Sequence, residues 1–129
     1  MIKALLLTTF ILLGTPWQKD IEKITPEVEE VQENTWANTA NFTITHYCNC
    51  AKCCGKWAGG PTASGVMPEA GRTIAVDSKV IPLGSEVLIG DTIYIAEDTG
   101  VKGYWIDIYC NSHSEAKNRG MYTAEVSWK

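Results

Sequence analysis

Six short runs of β-forming residues, none longer than seven, divide residues 42–128 of this chain: FTITHY (42–47), TIAV (73–76), SEVLI (85–89), TIYIAE (92–97), YWIDIY (104–109) and YTAEVSW (122–128). Each is bounded by turn residues, among them IPLG before the third run and Gly90-Asp91 before the fourth. Only one helix is expected. Ser112 with Glu115 three residues on forms a capping-box pattern, and Gly120 closes the segment after little more than two turns. So small a sheet protects its edges best by closing on itself, so the expected fold is mainly β: a compact six-stranded barrel with one short helix.

The 129 residues suffice for one domain with a modest core. That domain is expected over 41–129, behind two segments of different character. Residues 1–16 open with a lysine and an apolar run from Ala4 to Gly14, the length of a signal-peptide core and short for a membrane span of about 20 residues. No small-x-small cleavage pattern follows, so an uncleaved membrane anchor stays open beside the signal peptide. Residues 17–40 read as a flexible acidic linker, with six acids against two lysines between Gln18 and Glu33 and Pro26 interrupting any helix. The chain's net charge of −4 is thereby confined to the linker, and residues 41–129 carry nine acids and eight bases. A near-neutral domain without a basic stripe argues against a nucleic-acid partner.

Three aspartates stand where a sheet ordinarily carries Val or Ile. Side chains alternate along a strand, so in YWIDIY Ile106 and Ile108 face one way and Asp107 the other. Asp98 has the opposite parity to Ile93 and Ile95, and Asp77 the opposite parity to Ile74 and Val76. All three would then line one groove outside the core. The plainer alternative is three unrelated turn or surface residues, and Asp98 before Thr99-Gly100 has that look.

The blocks AVDSKVIPLGS, AEDTG and GYWIDIY, preceded by CNCAKCCGKWAGGPTASG (48–65), together resemble the 3D domain, a bacterial module named for three aspartates. The similarity runs from about Thr43 to Trp128. The family is related to the catalytic domain of MltA-type lytic transglycosylases and to YuiC-type stationary-phase proteins, and the resemblance implies a double-psi β-barrel. This chain has DTGVKG where members often carry a longer loop, which would reshape the groove wall between Asp98 and Asp107. The resemblance further implies cleavage of the β-1,4 bond between N-acetylmuramic acid and N-acetylglucosamine in peptidoglycan. Asp107 would be the general acid and then base, with Asp98 and Asp77 as neighbouring catalytic carboxylates. Thr62, Ser64, Gly65, Thr99 and Gly100 would contact the glycan. A lytic transglycosylase and a hydrolase use similar parts. A non-catalytic, expansin-like wall-binding module is the alternative, because fold does not establish activity. A secreted or wall-associated monomer is expected, with no metal or cofactor at the aspartates.

The five cysteines are a separate question. Cys48, Cys50, Cys53 and Cys54 crowd one turn and Cys110 follows the Asp107 strand. Export favours disulfides, although five is odd. Zinc is the rival, with ligand-like spacing in C-x-C-x-x-C-C and His46 and His113 in reach of assignment, and unpaired structural thiols are the third reading. Each histidine by itself reads as an ordinary strand or helix-cap residue.

Overall fold

The computed structural model describes residues 35–129. Six strands form where the alternating runs stand: β1 (Asn38–Tyr47), β2 (Thr73–Ala75), β3 (Glu86–Ile89), β4 (Thr92–Asp98), β5 (Trp105–Tyr109) and β6 (Tyr122–Trp128). They close into a barrel in the order β1-β5-β2-β4-β3-β6. The pairs β1/β5 and β2/β4 are parallel, and the other four neighbouring pairs are antiparallel. Exchanging β1, β2 and β3 with β4, β5 and β6 leaves both the ring order and the sense of every pairing unchanged. The barrel therefore has the topology of two interlocked three-stranded halves, as the double-psi resemblance implied.

Alternation builds the core. Phe42 and Ile44 of β1, Val87 and Ile89 of β3, Ile106 and Ile108 of β5, and Val126 and Trp128 of β6 all point inward, joined by Ile74, Val76, Ile81 and Ala96. Removing each such side chain from water contributes about 1.5–3 kcal/mol. The rings of Phe42 and Trp128 meet edge to face, 5.5 Å between centroids. Gly90 takes φ +60° in the two-residue turn between β3 and β4, a conformation that glycine adopts without the Cβ penalty.

Four differences from the sequence reading stand out. The strand β1 starts at Asn38, within the stretch assigned to the linker, because Asn38, Thr39 and Ala40 pair with Trp128, Ser127 and Val126 of β6. The expected signal or anchor segment at 1–16, and the linker up to residue 34, lie outside the described residues. A second short helix, α1 (Ala51–Cys54), runs into a 3-10 turn at Gly55–Trp57, alongside the expected helix α2 (His113–Arg119). At α2 the Ser112 hydroxyl accepts from the Glu115 N–H at 3.2 Å, while the Glu115 carboxylate pairs with Arg119, so only half of the capping box forms.

The phase of β4 is the fourth difference. Tyr94 and Ala96 face the core and Ile93 is 52% exposed, the reverse of the parity read from TIYIAED. A register shift between Ile74 and Ala75 then corrects the outcome. Ile74 pairs with Ala96 but Ala75 pairs with Asp98, so Glu97 is skipped and Asp98 returns to the outer face. Among the described residues no helix is long and apolar enough to cross a membrane.

Candidate functional site

The pairings β1/β5, β5/β2 and β2/β4 set Thr45, Asp107, Ala75 and Asp98 in one row across the barrel. Asp107, Ala75 and Asp98 of this row floor a cleft of about 670 Å³, walled by Tyr47, by Cys53, Cys54, Lys56, Trp57 and Ala58, by Gly60 to Ala63 and by Thr99 to Val101. With neighbouring strands about 4.8 Å apart, Asp107 and Asp98 flank the small Ala75 side chain and share the space above it.

The two carboxylates are held in different ways. Asp98 accepts three hydrogen bonds: from the Tyr47 hydroxyl at 2.9 Å, the Ala63 N–H at 3.0 Å and the Thr99 N–H at 2.9 Å. Such an acceptor arrangement suits an ionised carboxylate. Burial, with the Asp98 charge beside it, pushes the Tyr47 hydroxyl far above its ordinary range, so Tyr47 stays a donor. Asp107 is the converse. Its Oδ1 is buried without a hydrogen-bond partner. Burial pushes its pKa up to about 6; the Thr45 hydroxyl beside it opposes this, and the Asp98 charge adds to the rise. The Thr45 oxygen is itself oriented by the Trp105 indole N–H at 2.9 Å. One carboxyl group whose proton affinity is raised by burial thus faces one held by three hydrogen-bond donors.

Asp77 does not join them. Its Oδ1 accepts from the Lys79 N–H at 3.0 Å and its Oδ2 from the Gly103 N–H at 2.8 Å. These bonds hold its pKa below the usual carboxylate range. It lines a separate shallow depression with Lys79 and Lys102, on the far side of the loop that carries Thr99 and Gly100. The strand ends at Ala75, so parity no longer governs residue 77, and Asp77 tethers the 99–103 loop that walls the cleft.

The other expected contact residues divide similarly. Thr62, Thr99 and Gly100 line the cleft. The Thr62 hydroxyl is engaged, donating to the Val66 carbonyl at 2.8 Å and lying 3.0 Å from the Ser64 hydroxyl. Ser64 N–H donates to the Glu97 carbonyl, and Gly65, at φ +90°, closes the turn onto Thr62 O. Ser64 and Gly65 lie outside the cleft lining, so the TASG stretch acts here as a brace that delivers the Ala63 N–H to Asp98. The sequence reading missed Tyr47, Thr45 and Ala75. Parity in FTITHY does set Thr45 and Tyr47 off the core face, and that signal could have found them. Trp57 is a further cleft residue, 71% exposed, with the Lys56 ammonium 4.9 Å from its ring centroid.

The five cysteines, all within the described residues, form no disulfide. Cys48 Sγ lies 3.0 Å from Cys50 Sγ and 3.5 Å from Cys53 Sγ, well beyond a sulfur–sulfur bond of about 2.0 Å. Cys54 donates to the Cys48 carbonyl and borders the cleft, and Cys110 is buried.

A closed barrel of two interlocked halves, with a carboxylate-lined cleft over its middle strands, is the class that this fold and site define. Residues 72–128, which contain strands β2 to β6, match the family model of the 3D domain. The matched span contains all three aspartates and stops short of the Cys-rich and TASG stretches. Over 110 residues the chain is 36% identical to a protein named cell wall-binding protein YocH of Bacillus subtilis (strain 168), covering 80% of this chain and 38% of that one. Over 92 residues it is 40% identical to the putative cell wall shaping protein YabE of the same organism, covering 66% of this chain and 22% of that protein. The chain thus spans well under half the length of both relatives. A solved structure, MltA from E. coli, aligns over 54% of this chain and 27% of that chain with 26% identity and a TM-score of 0.46.

Proposed function

We propose that the cleft binds a glycan strand of the bacterial cell wall and cleaves the β-1,4 bond between N-acetylmuramic acid and N-acetylglucosamine, with Asp107 as the acid and base. The observation that carries this reading is the contrast between the two carboxyl groups: a half-buried Asp107 titrating near 6 opposite an Asp98 anchored by three donors. Protonated Asp107 gives its proton to the glycosidic oxygen as the bond from that oxygen to C1 breaks. The charge of Asp98 stabilises the oxocarbenium-like centre. Asp107, now ionised, takes the proton of the C6 hydroxyl as O6 closes on C1, which leaves a 1,6-anhydro sugar and the acid restored. Support for a wall substrate comes from the names of the two Bacillus relatives and from the 3D domain match.

The second reading is a wall-binding module without catalysis. It is favoured by the relative named for cell-wall binding and by the exposed Trp57 and Tyr104, aromatic surfaces suited to sugar rings. Incubating the chain with purified peptidoglycan and weighing the soluble fragments separates the two. Anhydro ends are the expected result. Reducing ends would replace ring closure with attack by water, and protein bound to intact sacculi with no release would leave the binding module.

A further inference from the structure

We propose that Cys48, Cys50, Cys53 and His113 form a closed, four-ligand site for a structural zinc ion that fastens the outer wall of the cleft to the barrel. The ligand atoms, three Sγ and one imidazole nitrogen, all lie within 4.8 Å of one another. Zinc bonds of about 2.3 Å to sulfur and about 2.0–2.1 Å to nitrogen, at tetrahedral angles, put sulfurs about 3.8 Å apart and sulfur and nitrogen about 3.6 Å apart. The observed sulfur–nitrogen separations bracket the second value, and the two sulfur–sulfur separations from Cys48 fall short of the first by about 0.3 to 0.8 Å. Cys48 Sγ is 3.0 and 3.5 Å from the sulfurs of Cys50 and Cys53, and His113 Nδ1 is 4.0, 3.6 and 3.4 Å from Cys48, Cys50 and Cys53.

The backbone accounts for the convergence. Cys50 caps α1, and the N–H groups of Cys53 and Cys54 both donate to its carbonyl, at 3.1 and 2.8 Å, so the C-x-x-C turn brings Cys50 and Cys53 to one side. Cys48 follows directly on β1. The Cys110 N–H donates to the Tyr47 carbonyl at 2.7 Å, tying the end of β5 to the end of β1, and the chain reaches His113 at the first position of α2 three residues later. The site therefore draws on three elements that adjoin only in the folded barrel. That is why the sequence, which lacks a second paired knuckle, left zinc as a rival to disulfides.

Four protein ligands leave no open position, which is the pattern of structural zinc rather than of a catalytic ion. The consequence for the cleft is mechanical. Cys53, Cys54, Lys56 and Trp57 wall the cleft, and α1 and the 3-10 turn bury no side chain of their own. A metal at their base supplies the anchorage that apolar packing does not. This inference is independent of the chemistry proposed for Asp107.

Elemental analysis of the full chain, purified under reducing conditions, is expected to give one zinc per chain. Replacement by cobalt should produce intense visible bands of a tetrahedral ion together with thiolate-to-cobalt charge transfer in the near ultraviolet. Cys50→Ser and His113→Ala should lose the stoichiometric metal, whereas Cys54→Ser and Cys110→Ser should keep it. The wild-type cobalt spectrum needs no variant to fold. A weak octahedral spectrum, a metal-free chain whose thiols titrate as paired in a disulfide, or retention of full metal by His113→Ala would each overturn the site.

Discussion

Asp107 pays for its proton affinity in stability. Its pKa is raised from the ordinary value near 4 to about 6 by burial, so below about pH 4 both folded and unfolded chains carry the proton, and between there and about 6 only the folded chain does. Stability therefore falls as pH rises through that window and stays lower above it. Asp107→Asn removes the dependence. It should raise stability at pH 7 by on the order of 1–2 kcal/mol after allowance for solvent screening, leave it unchanged near pH 3.5, and abolish glycan cleavage. Thermal melts at the two pH values, with fragment release on one substrate, check this. Because burial outweighs the Asp98 charge among the causes, Asp98→Asn should move the upper limb of the pH–activity profile down by less than about one unit. Asp77→Asn should leave the position of that limb unchanged and lower the rate at every pH, because Asp77 acts on the 99–103 loop. A displaced limb in Asp77→Asn would bring that carboxylate back into the cleft.

At the scale of elements, Asp98 depends on two features that act together. The register shift between β2 and β4 turns residue 98 outward, and the same shift leaves Glu97 buried, where its oxygens accept from Thr73 Oγ1 at 2.7 Å and Arg72 Nε at 2.9 Å. The TASG brace then docks on the end of β4 through Ser64 N–H to Glu97 O and Ala63 N–H to Asp98 Oδ1. The brace is held from within by Thr62, whose hydroxyl is bonded to the Val66 carbonyl. Thr62→Val keeps the shape and removes that bond, at a cost of about 1–2 kcal/mol. Hydrogen exchange should accelerate at the amides of Ala63, Ser64 and Thr99, with the strands of the barrel unaffected at the same pH. Equal acceleration in β1 and β6 would show that the brace is part of the global fold rather than a local support.

For the whole molecule, ring closure is what makes so few residues a stable scaffold. Every strand has two neighbours, so no edge is open, and the inward side chains from both halves meet in one cluster. Ile44 is fully buried in that cluster and Ile93, an isoleucine of β4, lies outside it. Ile44→Ala should cost about 2–5 kcal/mol in denaturant unfolding. Ile93→Ala should change stability by no more than about 0.5 kcal/mol. A large loss at Ile93 would mean that β4 runs in the phase first read from its sequence.

The six strands, the helix α2 and the outward direction of Asp107 were legible in the sequence, because each rests on a local period or a capping pattern. In YWIDIY the buried isoleucines on either side leave Asp107 one face to occupy. Local period could not decide β4, where Tyr94 and Ala96 compete with Ile93 and Ile95 for the inner face, nor foresee the pairing shift that places Asp98. It likewise treated Asp77 as a strand residue, although β2 had ended two residues before it. The partnership of Asp98 with Tyr47 and Ala63, and that of His113 with three cysteines, join positions 35 to 65 residues apart in the chain. Only barrel closure brings such positions together, because side-chain hydrogen bonds and ligand distances depend on strand order and register, which a single strand's sequence does not carry.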